Sequence, residues 1–512
     1  MTFLMLITSP FIIGFITLAF IKFIYTYWDR QGFVSVQPKL IYGNLRPTVK
    51  YQQTFSNNIN NLYWESITTP YIGIFLLCRP AILIRDLNLA RRILIHDHEY
   101  FDHRGGKNYD PFSANLFSSK TLNAPHLNEK LSQIFNSRNN QTLFETILNE
   151  GHRLTIELEK YANEPGPVTV NLQKVLQTHI LNTLSSLCFG LNVNLFEANS
   201  IIHKQDNNQF KLINNEISKN GGTSRIQQAL KFLYPNTMGK FTKGSTDVES
   251  YLVDTVHNVF RSRKENNIVR GDLIQLFINQ QENDNKKEDN STPLTIQEIA
   301  AQLFNFYSNG TQILSHTIAS FVHELTHNQD ELDKVLNELD LALKKNHDEI
   351  TYEMIQEMSY LDLCLKETLR KVPPISLISR ECTKNYVIES TGQTIKTGMK
   401  IIIPVTSIQN DPKYFKSPEK FMPERFLFEN TKFMTADAYM PFGIGIHSCP
   451  GNELTKLILK TTMVAVLRQF VLEPIETNSE ITTKCSKTTE TDKHHELLKK
   501  VIVKRRTELN NN

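Results

Sequence analysis

The sequence predicts a mainly α-helical fold with small β-sheets, carried behind a single N-terminal transmembrane helix. Three observations predict it. Residues 1–21 contain no charge and are dominated by Phe, Leu and Ile. Stretches with helical apolar spacing fill most of the chain after Leu143, whereas β-like runs are short and gather around 71–84 and 375–404. No Pro/Gly/Ser-rich linker divides the middle of the 512 residues, so the chain after the anchor reads as one large domain. The expected division is residues 1–27 for the anchor and 28–512 for the domain.

A helix of ~20 residues, rising ~1.5 Å per residue, spans a hydrocarbon core of ~30 Å. Lys22 comes late enough to snorkel, and Tyr25, Tyr27 and Trp28 read as an interfacial aromatic cluster. Lys22, Arg30 and Lys39 follow the apolar run and no basic residue precedes it, which leaves the domain on the cytosolic side. A cleaved signal peptide would want a basic leader and an A-x-A-like site. Neither is visible, so an uncleaved anchor is expected.

Apolar residues on either side of Arg79-Pro80, at 71–77 and 81–84, predict two strands around a turn. Residues 87–96 have helical spacing, and 101–125 predict loop from their Gly, Asn, Pro and Ser content. Helices are expected over 143–161, 172–187, 226–233 and 248–263. The polar run 280–292 predicts a solvated loop. Thr295-Ile296-Gln297-Glu298 has capping-box spacing and opens what should be the longest helix, to about Leu325. Another helix begins near Met354 and stops before Pro373-Pro374. Short strands at 386–388 and 400–403 follow, with turns at Gly392 and Gly398.

Composition excludes several classes of function. Lys and Arg number 56 against 53 Asp and Glu, a net charge of +3, too balanced for a nucleic-acid partner. Six scattered cysteines form no CxxC pair and no disulfide framework, as in a reducing compartment.

The chemistry concentrates in Pro441-Phe442-Gly443-Ile444-Gly445-Ile446-His447-Ser448-Cys449-Pro450-Gly451, just before an apolar run at 454–471. Glycines allow a backbone φ > 0 and close approach. A cysteine in such a loop, beside a helix N-terminus, is placed to be a thiolate and can serve as the proximal ligand of a haem iron. On this loop alone, a free thiol in a Gly-rich turn is an equal alternative. Glu367 and Arg370, three apart on a helix, share a face and taken alone read as a solvated pair. Arg425, in Phe421-Met422-Pro423-Glu424-Arg425-Phe426, offers a third charge. A carboxylate accepting from two guanidinium forks tolerates burial better than one lone pair does.

The order Glu-x-x-Arg, Pro-Glu-Arg-Phe, Phe-Gly-x-Gly-x-His-x-Cys-x-Gly resembles the cytochrome P450 family of thiolate-haem enzymes. The resemblance covers nearly everything after the anchor. Ala301-Gln302-Leu303-Phe304, Tyr360-Leu361-Asp362 and Asp411-Pro412 make it most similar to the microsomal detoxification branch of animals. It implies a cytochrome P450-like fold and haem b, with Cys449 as the axial metal ligand. Phe442 would shield that ligand, and Gly445 and Gly451 would allow close haem approach. Glu367, Arg370 and Arg425 would form a buried triad, Arg380 would reach a haem propionate, and residues 375–378 would line the distal pocket.

Three positions depart from the family's pattern. His447 stands where most members have Arg, and a histidine is charged only while its proton is held on. Ala124 and Asn128 occupy the places of a Trp and an Arg that meet the propionates, with His126 a possible substitute. On the long helix, Asn309-Gly310-Thr311-Gln312-Ile313 aligns with Gly-x-acid-Thr, whose acid and alcohol relay protons during dioxygen activation. Gln312 replaces the acid and Ile313 the alcohol, and isoleucine relays nothing. Thr311, Ser315, Asn309 or water could take over.

The implied activity is oxidation of a small apolar substrate by a haem-thiolate monooxygenase. The implied setting is the endoplasmic reticulum membrane, with electrons supplied by NADPH-cytochrome P450 reductase. The apolar Ile313 leaves two alternatives open: an isomerase or dehydratase acting on lipid peroxides, and a haem protein that binds ligands with little turnover.

Overall fold

The computed structural model describes residues 2–65, 69–101, 130–164, 169–197, 246–286, 293–431, 435–474 and 501–506. The expected helix at 226–233, the residues Ala124, His126 and Asn128, and the loop at 102–125 lie outside them.

Helix α1 (Thr2–Tyr25) opens the chain, and Ile12–Gln31 is a stretch long and apolar enough to cross a membrane. The next residues correct an expectation. Trp28 does not face an interface: it is buried, its indole N–H donates to the Ile74 carbonyl at 3.1 Å, and its ring lies on Gly73. A Cβ at Gly73 would sit 2.5 Å from that ring, so the glycine is what admits the tryptophan. Tyr25 is docked as well. Its hydroxyl accepts from the Gly43 N–H at 3.0 Å and lies 3.3 and 3.4 Å from the Lys39 and Leu77 carbonyls.

Strands β1 (Tyr71–Leu76) and β2 (Arg79–Ile84) pair antiparallel, as their apolar runs predict. The helical stretch at 87–96 is α-helical only over Leu87–Arg91 and continues as a π-turn over Arg92–His96. Helices α2 (Ser137–Ala162), α3 (Leu172–Phe189), α4 (Thr246–Asn266) and α5 (Leu273–Lys286) follow. The last of these revises the expected solvated loop at 280–292. Its first residues are helical, and Asp284 is buried against Lys130 at 2.6 Å, a pairing between distant segments that local polarity does not reveal.

Helix α6 (Ile296–His327) is the longest among the described residues, and the capping box that opens it is formed in both directions between Thr295 and Glu298. Helix α7 (Gln329–Lys345) was not anticipated, although Leu332, Val335, Leu339 and Leu343 recur at helical spacing. The helix expected from Met354 is two: Tyr352–Glu357, then α8 (Ser359–Lys371). The break is stable because Glu338 on α7 accepts the N–H groups of Tyr360 (2.7 Å) and Leu361 (2.9 Å), which the new helix start leaves without intrahelical partners.

Strands β3 (Ile378–Glu381) and β4 (Lys400–Ile403) complete a four-stranded sheet in the order β1-β2-β4-β3, with β2 and β4 parallel. Helix α9 (Asn452–Gln469) ends in β5 (Phe470–Pro474), which pairs antiparallel with β6 (Val501–Arg505). Two apolar clusters result, one among the helices and one around the four-stranded sheet. Helix α6 packs on α3, and α9 on α2, so the two helices that flank the candidate site are each backed by another.

Candidate active site

The charged triad sets the floor. Arg370 and Glu367 on α8 are fully buried. Arg370 donates to both carboxylate oxygens, at 2.9 Å from Nε and 3.0 Å from Nη2. Arg425 reaches the same carboxylate through Nε at 3.1 Å, and the Met422 N–H adds a fourth hydrogen bond at 3.0 Å. The remaining guanidinium donors go to backbone carbonyls of Gln409 (2.9 Å) and Pro418 (2.6 Å) from Arg370, and of Lys416 (2.8 Å) from Arg425. Burial lowers the Arg425 pKa and the Glu367 charge opposes that shift. The forks of both arginines are filled by these partners.

Sequence reasoning missed the residue that links this floor to the thiol loop. Gln409 is buried, donates to the carbonyls of Leu369 (3.0 Å) and Arg370 (2.9 Å), and accepts the Met440 N–H at 2.7 Å. One carboxamide thereby ties the C-terminal end of α8 to the residue that opens the loop. A lone glutamine in sequence carries no signal of such a role.

From Met440 the loop folds back on itself. Gly443 N–H donates to Met440, Ser448 to Gly445, and Cys449 to the Phe442 carbonyl at 2.9 Å. Gly443 and Gly445 hold φ of 74° and 78°, a region that favours glycine. Gly445 has a second constraint. A Cβ there would stand 2.2 Å from the Leu94 carbonyl oxygen, so the close approach visible at this glycine is to the π-turn. At Gly451 a Cβ would meet the Phe306 ring at 2.9 Å, where the loop abuts α6. Cys449 is half-buried, three residues before the first residue of α9, whose N-terminal dipole favours an anion there.

Above the loop lies an apolar cavity of about 90 Å³. Phe442, Cys449 and Gly451 line it on one side; Asn305, Phe306, Asn309, Gly310 and Ile313 of α6 line the other, with Leu184 and Ile375 among the rest. The largely apolar walls and the half-buried thiol suit a flat, apolar macrocycle carrying an iron that takes sulfur.

Other expected residues lie elsewhere. Arg380 is buried on β3, opposite Ile401, with Nη1 donating to the Ser379 carbonyl at 2.9 Å. His447 closes a 3₁₀ turn (Gly445–His447) in the loop, and neither it, Gly445 nor Arg380 lines the cavity. Thr311 is buried, and its hydroxyl donates to the Tyr307 carbonyl at 2.7 Å, inside the helix. Gln312 is exposed and does not line the cavity, whereas Ile313 does. Of the expected distal stretch at 375–378, Ile375 lines the cavity and Ile378 is buried in the sheet cluster.

A thiol loop held under a long helix, with an apolar chamber between them and a buried Glu-Arg-Arg triad behind, is the architecture of a haem-thiolate protein. The family model for cytochrome P450 matches residues 36–506, and the chain belongs to that family. It is 32% identical to the probable cytochrome P450 6d5 of Drosophila melanogaster, over 89% of this chain and 91% of that protein. It is 33% identical to cytochrome P450 6d3 of Musca domestica, over 89% and 91%. Cytochrome P450 6j1 of Blattella germanica is 27% identical, over 88% of each chain. The chain is accordingly an oxidoreductase of monooxygenase type, whose cofactor is haem b with a cysteine thiolate on its iron. That thiolate supplies electron density that favours O–O cleavage.

Proposed function

We propose that this enzyme inserts one oxygen atom into a small apolar substrate held on the Ile313 side of a haem ligated by Cys449. The electrons come from NADPH through the membrane-bound cytochrome P450 reductase. In this reading Cys449 is the metal ligand, Phe442 shields it, and Gly445, His447, Gly451 and Arg380 hold the haem. Asn309, Gly310, Thr311, Gln312 and Ile313 form the distal stretch. Residues 1–27 anchor the protein in the endoplasmic reticulum membrane, and 28–512 form the haem domain on its cytosolic side. The observation that carries the reading is the single cavity walled by Cys449 on one side and α6 on the other.

The apolar Ile313 in that wall favours a second reading, rearrangement of a lipid peroxide without a reductase. Purified full-length protein incubated with a lipid hydroperoxide, with and without NADPH and reductase, separates the two. Turnover that needs both NADPH and reductase supports the monooxygenase. Efficient peroxide turnover in their absence overturns it, and no turnover in either arm leaves a ligand-binding protein.

A further inference from the structure

Two carboxamides interrupt the apolar wall of the cavity. Asn305 and Asn309 lie one turn apart on α6 and both line it, among Leu184, Phe306, Ile313 and Leu314. Asn309 donates through Nδ2 to Asn305 Oδ1. Asn305 is buried and Asn309 faces open space, so the inner amide fixes how the outer one is presented. With one N–H taken, Asn309 retains its other N–H and its carbonyl oxygen, which have no hydrogen-bond partner among the described residues.

The other polar side chains on this stretch are placed differently. The Thr311 hydroxyl is taken by the Tyr307 carbonyl, and Ser315 is buried outside the lining. Hydrogen bonding from this part of the distal wall therefore falls to Asn309. An amide in a largely apolar chamber is not neutral toward what fills it. A pure hydrocarbon strips its water and leaves it unpaired, whereas a ligand with one oxygen at that height restores a bond.

We propose that the Asn305–Asn309 pair is a specificity device. The substrate it selects is an apolar body carrying one hydrogen-bonding oxygen, such as an ether, ester or ketone, in preference to a plain hydrocarbon. Asn309 makes the contact, and Asn305 is a positioning residue that acts through it. This rests on the cavity being the substrate site proposed above.

The test compares diphenyl ether with diphenylmethane, which differ by one oxygen against one methylene. Dissociation constants are measured on the full-length, haem-loaded protein by Soret perturbation and by calorimetry. The ether should bind about tenfold more tightly, the effect of one hydrogen bond in place of an unpaired amide. Asn309→Leu should erase that preference and improve diphenylmethane binding. Asn305→Leu should weaken the preference, and Asn305→Asp, which keeps the acceptor, should restore it. Equal affinities in the unmodified protein, or a preference that survives Asn309→Leu, overturns the inference alone. If neither ligand binds a protein that shows the thiolate–carbonyl Soret signature, the reading of the cavity falls, and this inference with it.

Discussion

Beneath the cavity, Glu367, Arg370, Arg425 and Gln409 are each held by several hydrogen bonds, most of them to backbone carbonyls or N–H groups of distant segments. Above it, helix α6 keeps its backbone bonds to itself and sets side chains of mixed character along one wall: an isoleucine, a glycine and two asparagines. Ser315 and Ser320 on the same helix are buried with hydroxyls that have no partner among the described residues. The charged network stands behind the cavity, outside its lining, and has a unique arrangement because each charge there would be costly if displaced. The upper wall is framed by the backbone hydrogen bonds of the helix itself, which do not pass through those side chains. In the proposed reading, ligation is backed by a dense hydrogen-bond network, whereas substrate choice and proton supply fall to the side chains of α6.

Four substitutions probe this contrast, beginning with the largest effect. Cys449→Ser should abolish the thiolate–carbonyl Soret signature while the fold, read by circular dichroism, persists. A surviving signature would assign the ligand elsewhere. Glu367→Ala should leave two buried guanidinium groups without their carboxylate, a loss of about 3–5 kcal/mol in thermal or denaturant unfolding. That is a large share of the roughly 5–15 kcal/mol that holds an ordinary domain. A loss below 1 kcal/mol would show that the backbone carbonyls alone satisfy both arginines.

The third test concerns the packing that joins the two walls. His179 on α3 is fully buried, with Nε2 2.9 Å from the Thr462 hydroxyl of α9, and burial lowers its pKa from 6.5 to about 4. Its folded-state pKa lies below its unfolded value, so the unfolded chain takes up the proton first. The stability is intact above about pH 6.5 and is lost as pH falls toward about 4, by ~3 kcal/mol in all. His179→Gln should flatten that part of the stability–pH curve; an unchanged slope would place the acid sensitivity in other groups. The smallest effect is expected from Ile313→Thr. It should raise the fraction of reducing equivalents recovered in product, and unchanged coupling would show that protons travel by another route, with Asn309 the nearest polar candidate.

The lower wall was legible in the sequence because its chemistry is written in fixed, short spacings. Glu367 and Arg370 on one helical face, Arg425 after a proline and Cys449 among glycines are each ambiguous alone, and it is their order along the chain that resembles the family's. Gln409 and Glu338 were not legible, because each acts on backbone groups far away in the chain and has no local pattern. Trp28 misled for a related reason. An aromatic beside an apolar run reads as an interface residue, and only Gly73, forty-five residues on, reveals that a place in the core was prepared for it. Asp284 likewise looked solvated until Lys130 stood beside it. Periodicity located the helices, but helix breaks at Arg92 and Met358 depend on tertiary partners and left no such trace.

The docking of Tyr25 has a mechanical consequence. A helix long enough to cross a bilayer, and fastened at its last turn by a hydroxyl shared among Gly43, Lys39 and Leu77, behaves as a mast and not as a leash. With Trp28 wedged against Gly73 immediately after it, no swivel separates the mast from the sheet. Were that helix set in a bilayer, a change in its tilt would therefore heel the sheet over with it.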